Sequence, residues 1–247
     1  MNHQFVTAPE HIAACDLGPV TVLVDYSAGT TLSLLGPASP WWSALAATGD
    51  GQAPTTLDTR SVRYLLTRLL AAGFLTPTST PRPWSAPQPG QPWAPSWGVQ
   101  EVSAGRAPLP RVPRSSLALA VAALGAVLLA EHAGHRKQAM ARLIAILRTA
   151  TVRTTRPATD AEARRAVHAV RQVGLFLPGR LACLEESVTV VLMLAVSRLR
   201  VNWCHGVAAD PVRLHAWVET SHGEPVAEPP STLRYTTLLT VPPSSRR

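Results

Sequence analysis

Three side chains with complementary chemistry follow one another in the second half of the chain: a thiol at Cys183, an imidazole at His215 and a carboxylate at Glu228. A thiol attacks as its thiolate and needs a base to form it, and the base needs a third group to fix its ring. Taken singly, a lone cysteine is most often an inert small hydrophobe and a strand histidine a hydrogen-bonded core residue. Taken together, the three can supply nucleophile, general base and orienter for attack on a carbonyl.

Each must be delivered by an element. Cys183 opens CLEESVTVVLMLAVS, expected as a helix over Cys183–Ser197 that is apolar almost all round and therefore buried. A thiol in a first helical turn sits at the positive end of the helix dipole, which favours the thiolate. Glu185 and Glu186 share that turn and push the thiol pKa upward where they point at it. His215 lies in RLHAWVET, an alternating strand expected over Val212–Thr220 and preceded by a strand over Val201–Ala208, with Asp210-Pro211 between them. A turn at Ser221–Gly223 predicts Pro225–Glu228 as a hairpin partner, with Glu228 opposite His215 on the same face. A slip of one residue turns Glu228 away, and Glu219, Glu224 and Asp210 are then the alternative orienters, in that order.

The first 76 residues read as a small winged-helix-like unit. PVTVLVDY and TTLSLL form a hairpin around Ser27–Gly29, a helix starts at Pro40 with Ser39 as its cap, and a second runs from Arg60 to Ala72 behind Asp58 or Thr59. Residues 77–114 hold ten of the 23 prolines together with Trp84, Trp93 and Trp97, the composition of a semi-rigid linker that its tryptophans can pin to a domain. Residues 115–247 form the second domain, helical first and β afterwards. The fold class expected is α+β. Helices are expected at Leu117–Leu129, Lys137–Leu147 and Asp160–Leu175, the last capped by Thr159 or Asp160. The apolar run Leu117–Ala130 reads as a buried core helix too short to cross a membrane.

RLACLEES followed by RLHAWVE, with an acid just past a glycine-containing turn, resembles the transglutaminase-like cysteine peptidases of lasso-peptide biosynthesis, the B proteins, over residues 115–245. The resemblance implies a papain-like α+β domain in which Cys183 is the nucleophile, His215 the general base and Glu228 the third member, where the family commonly has Asp. It also implies that the N-terminal unit recognises the leader of a ribosomal precursor peptide as an added strand. Thr31, Leu32, Ser33 and Leu34 would form the edge, with Arg63, Leu66 and Leu70 on the facing helix. An asparagine-synthetase-like macrocyclase is the further partner implied, with no cofactor and no metal.

Composition limits the alternatives. The formal charge of +8 rests on arginine, since Lys137 is the only lysine, and the Arg/Ala/Pro-rich composition reads as that of a GC-rich genome rather than as selection for an anionic partner. A nucleic-acid-reading helix would need exposed polar side chains at its front, whereas Arg60–Ala72 carries Arg60, Arg63 and Arg68 beside a broad leucine stripe. Three widely spaced cysteines, odd in number and without CxxC spacing, argue against disulfides and structural zinc and for a reducing compartment. The N-terminus lacks the pattern of a secretion signal. The expectation is a cytoplasmic protein without nucleic-acid or membrane partners. Acyl transfer to an amine by the same triad, and a scaffold without activity, remain the other readings.

Overall fold

The computed structural model describes residues 5–91, 110–177, 179, 181–209 and 211–242. The chain is mixed α+β and divides into two compact units, Met1–Trp93 and Ala94–Arg247.

In the first unit, β1 (Phe5–Thr7) and β2 (Ile12–Asp16) precede the hairpin of β3 (Val20–Asp25) and β4 (Thr30–Leu35). The Asp25 carboxylate accepts from Ser27 and Ala28 N–H and so holds the turn. Two helices follow, α1 (Ala38–Thr48) and α2 (Thr59–Ala71), then β5 (Thr76–Thr78) and β6 (Gln88–Pro89). The sheet order is β4-β3-β2-β6, with β1 paired to β5. Asp58 caps α2, accepting from Arg60 and Ser61 N–H at 2.8 and 2.9 Å. α1 begins at Ala38, earlier than expected, and Ser39 is not its cap: the hydroxyl is buried and bonds Thr21 Oγ1 at 2.6 Å, a stronger claim inside the core. Trp41, Trp42, Leu23, Leu34, Leu45, Leu69 and Phe74 form that core.

The proline-rich stretch is laid onto this unit as far as Pro89. β6 pairs with β2, the Trp84 N–H donates to Ala46 O at 3.0 Å, and the Trp84 ring meets Trp42 edge-on at 5.5 Å. Proline is tolerated there because an edge needs few N–H donors. Trp93 and Trp97 lie outside the described residues.

The second unit runs α3 (Arg114–His132), α4 (Ala139–Val152), β7 (Arg156–Pro157), α5 (Asp160–Gly174), α6 (Cys183–Val196), β8 (Leu199–Arg200), β9 (Asn202–Ala208), β10 (Arg213–Glu219) and β11 (Thr236–Val241). An antiparallel sheet of order β10-β9-β11 packs against α6, which is also surrounded by α3, α4 and α5. The Trp203 Nε1–H donates to Ser187 Oγ at 2.9 Å in the core and ties β9 to α6. A complete capping box starts α5: Thr159 Oγ1 accepts from Glu162 N–H, and Glu162 accepts from Thr159 N–H.

α3 corrects one expectation. No proline stands between Arg114 and His132, so the helix has 19 residues and is long and apolar enough to cross a membrane. Ala120, Ala123, Leu124 and Val127 are buried, but Val121 and Leu129 on the other face are 56% and 74% exposed. The helix is packed on one side only.

Candidate active site

Cys183 is the first residue of α6, directly after Ala182, which offers no side-chain cap. The seven buried side chains of the helix, from Ser187 to Leu194, fix its axis and hence the position of the sulfur. The sulfur is half-buried, while the other two cysteines, Cys15 and Cys204, are buried.

His215 sits in β10, directly across from Gly206 of β9. That crossing is tight: a Cβ on Gly206 would lie 2.5 Å from the Thr236 carbonyl oxygen of β11, so only glycine lets the three strands close up at this level. The imidazole stacks on Trp217, two residues on, with centroids 5.8 Å apart, and Tyr235 packs on it at 5.2 Å. These aromatic walls restrict water around the ring.

The hairpin beyond β10 is shorter than predicted and one residue out of the expected register. Glu219 pairs with Pro225, and Val226 N–H donates to Val218 O at 3.0 Å. Continued regularly, this ladder would put Glu228 opposite Ala216 on the wrong face. Ala227 instead takes a left-handed φ of 53°, and the chain leaves the sheet. Glu228 then reaches His215 from outside the ladder, with Oε2 accepting from Nε2 at 2.8 Å. Glu219 is occupied elsewhere, accepting from the Trp217 indole N–H at 2.9 Å. Glu224 lies in the exposed turn, and Asp210 is outside the described residues.

Besides its bond to Glu228, His215 is hydrogen bonded to Cys183. The backbone N–H of Ala216 also donates to the sulfur. Burial works to raise the thiol pKa, and the Glu185 charge adds to that, but the bonds from His215 and Ala216 outweigh both and leave it below the usual thiol range. Burial likewise works to lower the imidazole pKa, but the bonds to Cys183 and Glu228 raise it to about 9. Both directions describe one event, transfer of the thiol proton to the ring.

Two acidic neighbours of the sulfur behave differently. Glu186 turns to Arg171, accepting from Nε at 2.7 Å. Glu185 points inward, where burial first and then the Glu131 charge raise its pKa, and its Oε2 is buried without a partner.

Arg171, on α5, escaped the sequence reasoning. Its guanidinium donates to Glu186, to the Ala227 carbonyl and to Glu228 Oε1, each at 2.7 Å. In the sequence it is one of ten basic residues between Arg136 and Arg180, with nothing local to single it out. Others in that run are structural too: Arg142 binds the Ala130, Glu131 and His135 carbonyls around the end of α3. Thr232 adds a hydroxyl bond to Glu228 Oε2 at 3.3 Å. Among the described residues no group of three or more metal-ligating side chains occurs.

The residues expected to receive a leader lie in the first unit. β4 is an outer strand of its sheet, and Thr31 and Ser33 are exposed on it. Leu32 is half-buried, whereas Leu34 is 3% exposed and belongs to the core, so it can offer a docked strand only its backbone. Arg63 is exposed on α2, and Leu66 and Leu70 are part-buried against the same core.

No curated protein and no solved structure matches the chain significantly. Residues 125–240 match the family model described as the transglutaminase-like superfamily. That span contains the thiol at its helix start, the imidazole on its strand and the carboxylate beyond the turn. The second unit thus carries a transglutaminase-like superfamily domain, the kind generally found in cysteine-peptidase-type enzymes.

Proposed function

We propose that this protein is a cysteine peptidase that binds the leader of a ribosomal precursor peptide and cleaves leader from core during lasso-peptide maturation. The observation that carries the peptidase reading is the connected line Cys183–His215–Glu228, with the thiol pKa lowered and the imidazole pKa raised. The Cys183 thiolate attacks the scissile carbonyl and the tetrahedral oxyanion forms beside the start of α6. There the Cys183 N–H, which has no acceptor within the helix, is the candidate donor. His215 gives its proton to the departing amine, leaving a thioester on Cys183. It then takes a proton from water, whose attack releases the acid and restores the thiolate. Glu228 holds the ring and balances its positive charge.

Leader binding rests on the outer strand β4, whose backbone can pair with an extended peptide, and on Arg63 for an acidic side chain of that peptide. Tethering through one chain raises the local concentration of the cleavage site once the leader docks. An asparagine-synthetase-like macrocyclase is the expected consumer of the freed core amine.

The test is to look for a short precursor-peptide gene and an amide-forming synthetase gene beside this one, and to incubate the protein with the peptide such a gene encodes, with that synthetase present and absent, read by mass spectrometry. Two fragments summing to the precursor plus water are expected, with none from Cys183→Ala. A product carrying an added amine would instead indicate acyl transfer. An intact precursor under both conditions overturns the proposal. Arg63→Glu should weaken precursor binding while leaving Cys183 alkylation unchanged.

A further inference from the structure

Backbone accounting along β10 leaves one stretch open beside the nucleophile. In an antiparallel strand, alternate residues direct their N–H and C=O to opposite neighbours. Val218 O accepts from Val226 N–H and Thr220 N–H donates to Glu224 O, so the even-numbered residues here face away from β9. Ala216 obeys the same alternation, and its outward N–H goes to the Cys183 sulfur. The sulfur therefore occupies the place that a carbonyl oxygen of a neighbouring strand would take. Leu214 comes next, and its outward N–H and C=O have no partner among the described residues.

Both sides of this opening are defined. Toward the end of β10 the edge is closed by residues 224–226. Toward its start no described residue pairs with it, and Val212 and Leu214 are large apolar residues left 41% and 37% exposed. An unpaired strand edge accepts an added extended chain, and partly exposed apolar side chains at alternate positions suit a substrate with apolar residues.

We infer that the substrate backbone flanking the scissile bond docks as an added strand on the outer edge of β10, pairing with the N–H and C=O of Leu214. The inference rests on the peptidase reading and names how that site takes its substrate. The occupant is an extended peptide, because the sulfur already lies in the ladder and a carbonyl bound to it continues along the stretch at Leu214 that no described residue pairs. A residue held on Leu214 aligns its neighbour's carbonyl with the sulfur without help from side-chain recognition, so the contact is made by any extended sequence and rejects helical or turn segments. Val212 and Leu214 then add a preference for apolar side chains.

The test begins with a proteome-derived peptide library, from which the full-length protein's fastest-cleaved peptide is taken as probe. Residue-resolved hydrogen exchange is then measured on the Cys183→Ala protein with and without that probe. At least about tenfold slowing at Leu214 is expected, with little change at Val218, whose edge is already filled. In parallel, Leu214→Pro removes the outward N–H at an edge position where proline is tolerated. It should lower kcat/KM for the probe by about tenfold or more, mainly through KM, whereas Leu214→Ala, which keeps the backbone donor, should lose far less. Cleavage without protection at Leu214 overturns the docking inference and leaves the peptidase reading standing. A wild-type protein that cleaves neither the library nor the precursor peptide overturns the peptidase reading and this inference with it.

Discussion

Arg171 fixes Glu228 and the residue before it, donating to the Glu228 carboxylate Oε1 and to the Ala227 carbonyl, both at 2.7 Å. The orienting carboxylate thus depends on a cation from a different helix, at the point where its own strand has ended. Arg171→Gln should lower kcat/KM by on the order of tenfold, part of the 10²–10⁴ that a positioned base is worth. A displaced Glu228 no longer supports the imidazolium, so the alkaline limb of the rate profile should move below about 9. Lysine at 171 should restore part of the rate. An unmoved limb would make Arg171 merely structural.

Cys183 should be the thiol that reacts. Iodoacetamide is expected to label it well ahead of Cys15 and Cys204, which are buried, and peptide mapping of the alkylated protein reads this directly. Cys204→Ser should retain cleavage activity, since Thr240 Oγ1 already lies 3.9 Å from that sulfur and can receive a hydroxyl.

The two pKa shifts set a pH window with a definite sign. The thiolate forms as pH rises through a thiol pKa lowered from its usual value, and the imidazolium is lost as pH rises through about 9. A bell-shaped kcat/KM should open on the acid side of an ordinary thiol and close near 9. Glu185→Gln removes a negative charge that raises the thiol pKa, so the acid limb should move to lower pH. A limb that stays or moves upward would contradict the placement of that charge.

Gly206→Ala should destabilise the second unit by about 1–3 kcal/mol, because the added methyl meets the Thr236 carbonyl rather than a movable side chain. Thermal unfolding followed by circular dichroism measures it.

What could be read in the sequence follows the locality of each signal. Cys183 at a helix start and His215 in a strand rest on runs of seven or more residues whose periodicity is written in their own side chains, and the elements lie at Cys183–Val196 and Arg213–Glu219. Glu228 was expected beside His215 through a regular hairpin. The register is in fact one residue different, and the left-handed turn at Ala227 restores the proximity. Nothing in an alanine announces positive φ. Arg171 could not be singled out because its partners are the 186 and 227–228 positions, far away in the chain and next to it only in the fold. Ser39 reads as a cap because cap residues compete locally, whereas Thr21, its real partner, comes from another element.

The left-handed turn at Ala227 gives the general base and its orienter separate moorings. His215 is held by the ladder to β9 and by the rings of Trp217 and Tyr235, and Glu228 by an arginine from α5. Insertions or changes in the 220–224 turn can alter the far end of β10 without dragging the carboxylate with them. A change at Arg171 can detune the carboxylate without unpicking the strand. Two parts of one catalytic line are therefore free to vary on separate schedules.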